Sequence, residues 1–248
     1  MAQKYYVVWK GRETGVFNDW ATCKKHIDHY PGARYKSFKT HAEAEAAFRG
    51  EAAATKTTYQ KPAGVKTYQQ SEIAEIDVET KIFTDGGCEP NPGEAGSGLS
   101  LYRDNQLAEL WYGLYNSQGT NNTAELNALF QAMLLAEKEL DQNRRVVIFC
   151  DSKYAIQCIT QWAGGWQKKG WKKAGGEIKN LALIQSMFAL YQTLKSRLAI
   201  LHVNGHVGVE GNELADRMSI LAIKEKVENF VPYNGELDIE TILAKRAG

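Results

Sequence analysis

The chain predicts an α/β protein: a mixed five-stranded sheet flanked by helices, preceded by a small α/β unit. Three observations carry that expectation. Apolar runs at 81–85, 98–102 and 107–115 follow one another with no helical interval, so three adjacent strands come first. From there strand-type and helix-type patterns alternate, as they do when crossovers pack helices on a sheet. The first fifty residues have a strand–helix rhythm of their own, and a polar stretch separates them from the rest.

Within the leading unit (1–50), "KYYVVWKG" reads as a strand and "GRETG" as a turn into a short second strand at Val16-Phe17. Asp19 caps a helix through "WATCKKHIDHY", which Pro31-Gly32 stops. "ARYKSF" is a further strand. "THAEAEAAFRG" carries a capping box, Thr40 with Glu43, and a terminal glycine, Gly50. Between 51 and 79 the apolar periodicity lapses, and "ATKTTYQKPAGVKTYQQSE" reads as a semi-extended linker. In the main domain (80–226) a long helix spans "TAELNALFQAMLLAEKEL". The run "RVVIFCD" is a buried-type strand and "SKYAIQCITQW" a helix. A helix over 180–197, the strand "LAILHV" and a helix from Asn212 complete it. The tail 227–248 either packs on this domain or stays apart from it.

Composition is that of a folded chain: 248 residues, 44% hydrophobic and 24% charged. No apolar stretch reaches membrane-spanning length, since even "ALFQAMLLA" is broken by Gln131, and no signal-peptide segment opens the sequence. Cys23, Cys88, Cys150 and Cys158 have neither zinc-type pairing nor the density of a secreted scaffold, so a reduced, cytoplasmic protein is expected. The net charge of +1 does not by itself announce a nucleic-acid partner. Local patches do more. Residues 1–50 hold nine Lys/Arg against five Asp/Glu, and "WQKKGWKK" is a second basic cluster.

Acidic residues recur at telling places. "KIFTD" and "VVIFCD" deliver Asp85 and Asp151 at the carboxyl ends of apolar runs, where open α/β sheets bind ligands. Either alone is also what a turn or a helix cap requires. Glu125 shares a helix face with Leu129, Ala132, Met133 and Ala136, where a carboxylate costs energy unless something pairs it; its place near the helix start is the plainer explanation. Asp216, in "GNELADRMS", is weak alone. Together the four would repel one another unless cations held them, and hard oxygen donors suit Mg²⁺ or Mn²⁺.

"FTDGGCEPNPG", "TNNTAEL", "CDSKYAI" and "GHVGVEGNELAD" stand in the order and spacing of ribonuclease H type 1, and over about 80–225 the chain resembles that family. The resemblance implies that Asp85, Glu125, Asp151 and Asp216 are metal-binding, catalytic carboxylates serving two Mg²⁺ ions, for which Mn²⁺ can substitute. It implies that the glycines after Asp85 let a nucleic-acid backbone come close, and that His206 is a flexible-loop histidine that moves protons or helps release product. Glu213 would help position metal or product. Asn91, Asn121 and Asn122 match positions that read RNA 2′-hydroxyls, and Thr120 one that grips a DNA phosphate. "QWAGGWQKKGWKK" matches a basic handle, with Trp162, Trp166, Trp171, Lys168, Lys169, Lys172 and Lys173 as contacts. Lys153 and Thr123 depart from the familiar bacterial pattern, Gln and Arg respectively.

"YYVVWKGRETGVFNDWATCKKHIDHYPGARYKSF" is similar to the hybrid-binding domain that precedes many type 1 enzymes and occurs in viroplasmins. By motif position Tyr6, Trp20 and Tyr35 would contact the DNA strand and Arg34 and Lys36 its phosphates, while Ser37 stands where some members have a lysine. The implied activity is endonucleolytic hydrolysis of the RNA strand of RNA–DNA hybrids, leaving 5′-phosphate and 3′-hydroxyl ends, in the removal of primers and R-loops. The hybrid is the implied partner, with no obligate protein partner and no membrane. A hybrid-binding protein with a silent nuclease domain and an assembly protein of the viroplasmin kind are the main rival classes; a transposase or integrase on the same fold is a third, against which the Asn motifs and the leading unit stand. The four intact carboxylates argue against the first two.

Overall fold

Asp19 accepts hydrogen bonds from the backbone N–H of Thr22 (2.8 Å) and from its hydroxyl (2.9 Å), so the first helix starts at the cap the sequence supplies. The computed structural model describes residues 4–28, 30–49, 65–173, 175–205 and 208–245. The chain divides into two units, 1–63 and 64–248.

In the first unit β1 (Tyr5–Lys10) lies between β2 (Gly15–Phe17) and β3 (Arg34–Phe38), antiparallel to both. Helices α1 (Trp20–Ile27) and α2 (His41–Arg49) complete it. The capping box forms as expected: Thr40 Oγ1 accepts from Glu43 N, and Glu43 Oε2 accepts from Thr40 N, each at 3.2 Å. Val8, Cys23 and Ile27 make a small core.

The second unit opens with β4 (Thr67–Tyr68) and α3 (Gln70–Ala74), followed by β5 (Thr80–Glu89), β6 (Gly93–Arg103) and β7 (Gln106–Gly119). Next come α4 (Asn121–Asp141), β8 (Val146–Cys150), α5 (Lys153–Gln157), α6 (Ala163–Lys168), α7 (Leu181–Leu194), β9 (Leu198–Val203) and α8 (Glu210–Glu225). The last elements are β10 (Val231–Pro232) and α9 (Ile239–Leu243). The sheet is mixed, as expected, in the order β10-β7-β6-β5-β8-β9-β4. β5 runs antiparallel to β6 and parallel to β8. Seven strands stand where five were expected, because two-residue strands close both edges. A pair of residues carries no periodicity to read, yet it covers an otherwise open ladder.

Those edge strands correct one reading and decide another that the sequence leaves open. The stretch 51–79 is not linker throughout. Residues 51–64 lie outside the described residues, but β4 and α3 belong to the seven-stranded sheet's unit, with Ile73 buried and a Gln69–Glu72 capping box. The tail packs on the domain: Phe230 stacks on Trp111 at 5.9 Å and Ile242 is buried. The helix read at 152–162 also differs. It passes from α5 through a π turn at Cys158–Trp162 into α6, and the Thr160 hydroxyl donates to the Ile156 carbonyl (2.8 Å) inside the irregular stretch.

Strand alternation sends Ile82 and Ile148 to a core beneath α4, and Phe83 and Phe149 to a second core beneath α8. Both helices come unusually close. A Cβ on Gly86 would sit 2.3 Å from the Ala124 carbonyl carbon and the Glu125 nitrogen. One on Gly98 would sit 2.1 Å from the Ala215 carbonyl. The missing side chains let α4 and α8 lie against the sheet on either side of Asp85.

Candidate functional site

β5 carries Asp85 past the point where β8 ends, and Asp151 is the first residue after β8. From one face α4 brings Glu125 in its second turn, held close by Gly86. From the other, α8 brings Asp216. The four acids predicted from sequence therefore meet electrostatically. Burial first, then the charges of Asp151 and Asp216, hold Asp85 well above the ordinary carboxylate value, and its carboxyl hydrogen-bonds that of Asp151. Burial first, then Asp151 and Asp85, do the same to Glu125.

Several buried groups steady this cluster. Ser219 Oγ lies 2.9 Å from Asp85 Oδ2, and Asn212 Nδ2 donates to Asp151 Oδ2 at 3.2 Å. Arg217 pairs with Asp216, and its Nε donates to the Lys245 carbonyl (3.0 Å), tying this acid to the tail. His202 Nε2 lies 3.1 Å from the Asp151 carbonyl. None of these four supports was singled out from sequence. Ser219 and Asn212 could have been, since they lie one turn to either side of Asp216 on its own helix.

The donor set fits a hard divalent cation. Glu125 Oε2 is buried and has no hydrogen-bond partner among the described residues. Glu125, Asp151 and Cys150 present ligand atoms within 4.8 Å of one another. Burial, then the charges of Glu125 and Asp151, push the Cys150 thiol up, so it stays protonated and leaves the carboxylates as donors.

The glycines after Asp85 lie against the helices on both faces of the sheet. Gly86 faces the backbone of α4, and a Cβ on Gly87 would meet Ser219 Oγ at 3.1 Å. They make room for α4 and α8. His206 lies outside the described residues. Glu213 Oε1 accepts from the Gly208 nitrogen (2.9 Å), which occupies it with the loop before α8.

Asn91, Asn121 and Asn122 are exposed, and Asn91 Oδ1 accepts from the Asn121 nitrogen at 3.3 Å. Thr120 caps α4. Its hydroxyl lies 2.8 Å from that of Thr123, which donates to Asn180 Oδ1 at 3.1 Å, so Thr123 and Asn180 join the predicted surface. In the basic handle Lys168, Lys169, Lys172 and Lys173 are exposed. Its tryptophans divide. Trp162 is exposed, beside Tyr154 and Trp166. Trp166 and Trp171 pack on the core, Trp171 edge-on to Phe188. In the first unit Tyr6, Trp20 and Tyr35 form a continuous aromatic strip, with ring centroids 5.4 and 5.8 Å apart. Trp20 is 44% exposed and Tyr35 46%, far more than packing alone would leave. Arg34 and Lys36 alternate with Tyr35 along β3 and so point to the other face of the sheet, where they lie over the rings of Trp9 and Phe38.

Comparison with known proteins agrees with both units. The RNase H family matches residues 77–224, and the ribonuclease H1 N-terminal domain matches residues 4–48. Ribonuclease H1 of Rattus norvegicus is 28% identical over 262 residues, covering 87% of each chain. Ribonuclease H of Methylorubrum extorquens (strain PA1) is 34% identical over 148 residues, 60% of this chain; the match spans 61% of that relative's length. The solution structure of the PFV RNase H domain superposes with a TM-score of 0.51 at 23% identity, covering 61% of this chain and 98% of that one.

Proposed function

This chain belongs to the RNase H family and carries a ribonuclease H1 N-terminal domain, and from that premise we propose that it cuts the RNA strand of RNA–DNA hybrids endonucleolytically. The observation that carries this reading is the cluster of Asp85, Glu125, Asp151 and Asp216, the first and last buried and the other two half-buried. It is rich in carboxylates and holds Asp85 and Glu125 above their ordinary values, a state that bound cations would relieve.

Asp85, Glu125, Asp151 and Asp216 would hold two Mg²⁺ ions, with Mn²⁺ able to substitute. Such ions supply a water of lowered pKa and Lewis-acid stabilisation of the leaving oxygen. The chain's own residues do the rest. Ser219 and Asn212 keep the Asp85 and Asp151 carboxylates oriented. Asn91, Asn121 and Asn122 present amides that both donate and accept, which suits a ribose hydroxyl. Thr120, with Thr123 and Asn180 beside it, receives a phosphate of the DNA strand. The exposed lysines of the handle neutralise further phosphates, and His206 carries the proton traffic of the products. The products would have 5′-phosphate and 3′-hydroxyl ends. In the first unit the strip Tyr6–Trp20–Tyr35 stacks on the DNA strand, so that binding by one unit raises the effective concentration of hybrid for the other. Removal of primers and R-loops in the cytoplasm would use such an activity. The four free thiols, Cys23, Cys88, Cys150 and Cys158, suit that compartment.

Four labelled substrates of one sequence test this: RNA–DNA hybrid, double-stranded RNA, double-stranded DNA and single-stranded RNA, each with Mg²⁺. Cleavage confined to the RNA of the hybrid is the expected result. Tight hybrid binding with no cleavage in Mg²⁺ or Mn²⁺ would favour a binding protein instead.

A further inference from the structure

Thr67, His202 and the main chain of Asp151 form a line across the edge of the catalytic sheet. Thr67 of β4 is opposite His202 of β9, which is opposite Cys150 of β8. His202 is 4% exposed. Its Nε2 lies 3.1 Å from the Asp151 carbonyl, and a carbonyl only accepts, so Nε2 carries the proton. Nδ1 is then the bare acceptor, and the Thr67 hydroxyl donates to it at 2.8 Å. Two neighbours thus fix one neutral tautomer and one ring orientation.

The arrangement is braced at its outer end. Lys66 pairs with Glu72 at 2.9 Å, and Glu72 Oε2 accepts from the Gln69 nitrogen at 3.0 Å. Ile73 is buried, and its carbonyl accepts from the Nζ of buried Lys81 at 2.9 Å. At the inner end, Asp151 lies just beyond the last ladder pair, Cys150–His202. Its carbonyl is held by the His202 ring and its carboxylate by Asn212.

We propose that His202 is a positioning residue for Asp151 and that Thr67 orients it. The segment β4–α3, ahead of the family's matched region, is then part of the catalytic apparatus rather than a simple edge cover. This rests on Asp151 being a metal ligand. The hydroxyl fixes the tautomer, the ring fixes the Asp151 main chain, and the main chain fixes where the carboxylate meets its cation. Supporting groups of this kind change metal affinity without touching metal or substrate.

The test uses the full chain and four variants: Thr67→Val, Thr67→Ser, His202→Phe and Asp151→Asn. Mn²⁺ binding without substrate is read from the resonance of free Mn²⁺, together with kcat and KM on hybrid and the unfolding temperature in chelator. Thr67→Val keeps the shape and the β-branching but lacks the donor. It is expected to weaken Mn²⁺ binding about tenfold and to lower kcat with KM for hybrid unchanged. Thr67→Ser restores both, and His202→Phe repeats the loss. Wild-type Mn²⁺ binding and kcat in Thr67→Val, with or without a lower unfolding temperature, overturns the proposal, as does failure of Thr67→Ser to restore them. Asp151→Asn separates the premises. If it abolishes Mn²⁺ binding while Thr67→Val changes nothing, only the relay fails; if it binds Mn²⁺ normally, the ligand assignment fails first.

Discussion

The Ser219 hydroxyl lies 2.9 Å from Asp85 Oδ2 and 2.9 Å from the Asp216 carbonyl, with one proton to serve both. When Asp85 is neutral, Ser219 is free to donate to the Asp216 carbonyl. When Asp85 is ionised, Ser219 turns to the carboxylate. Ser219 therefore supports the state that binds metal. Removing it by Ser219→Ala leaves ionised Asp85 short of a donor. Mg²⁺ affinity, measured by calorimetry without substrate, is expected to fall about tenfold, the scale of a lost hydrogen bond to a charged group.

Asp85 and Glu125 both sit above their ordinary carboxylate values in the fold, chiefly through burial. Their ionised forms are therefore disfavoured relative to the unfolded chain. Metal-free stability from these groups is lost as pH rises through the raised folded values. It is regained as pH falls toward the ordinary values of 3.8 and 4.5. Asp85→Asn removes one such group. At pH 7 in chelator it is expected to unfold at a higher temperature than wild type. Its advantage shrinks toward acid pH and on adding Mg²⁺ to wild type. A lower unfolding temperature for the variant would contradict the burial argument.

Glu139 has the opposite sign. Burial raises its carboxyl, but hydrogen bonds from Arg103 and Thr80 and the charges of Arg103 and Arg144 outweigh that, and the net shift is downward. The contacts are short: 2.6 Å to Arg103, 3.2 Å to Arg144 and 3.0 Å to Thr80. Its stabilisation is present above the ordinary value of 4.5 and lost as pH falls through the lowered folded value. Because both arginines are partly exposed, Glu139→Ala is expected to cost about 2 kcal/mol rather than the full penalty of breaking a buried pair. Urea titration measures it, and kcat on hybrid should not change.

The exposed lysines of the handle predict a binding phenotype. Replacing Lys168 and Lys169 by Glu is expected to raise KM for hybrid and leave kcat unchanged. It should also reduce the slope of log affinity against log salt by about 1–2, for two lost phosphate contacts. A salt series on wild type and variant reads both. An unchanged slope would remove these lysines from the interface.

The order of the main strands and helices was legible because each run is long enough to show its period. Asp85, Glu125, Asp151 and Asp216 were legible only together, because the four motifs that carry them stand in the order and spacing of ribonuclease H type 1, while each acid alone is ordinary at a strand end or in a helix. What escaped lacked such a signal. Thr67-Tyr68 and Val231-Pro232 are too short to show alternation, and their strand character comes from partners far away in sequence. His202 reads as one more residue of an apolar strand until Thr67 and Asp151 are brought to its two nitrogens. The packing role of Gly86 escaped because a sequence does not reveal which backbone fills the space beside a glycine, and here it is α4.

The central claim is that chemistry resides in the carboxylate cluster while hybrid recognition lies largely outside it. One measurement tests it most directly: hybrid binding by fluorescence anisotropy and RNA-strand cleavage in Mg²⁺, made side by side on wild type and Glu125→Gln. The account predicts that the variant binds hybrid as wild type does, within about threefold (~0.7 kcal/mol), and cuts it at least about a hundredfold more slowly. Cleavage by the variant at the wild-type rate would contradict it and place the chemistry elsewhere.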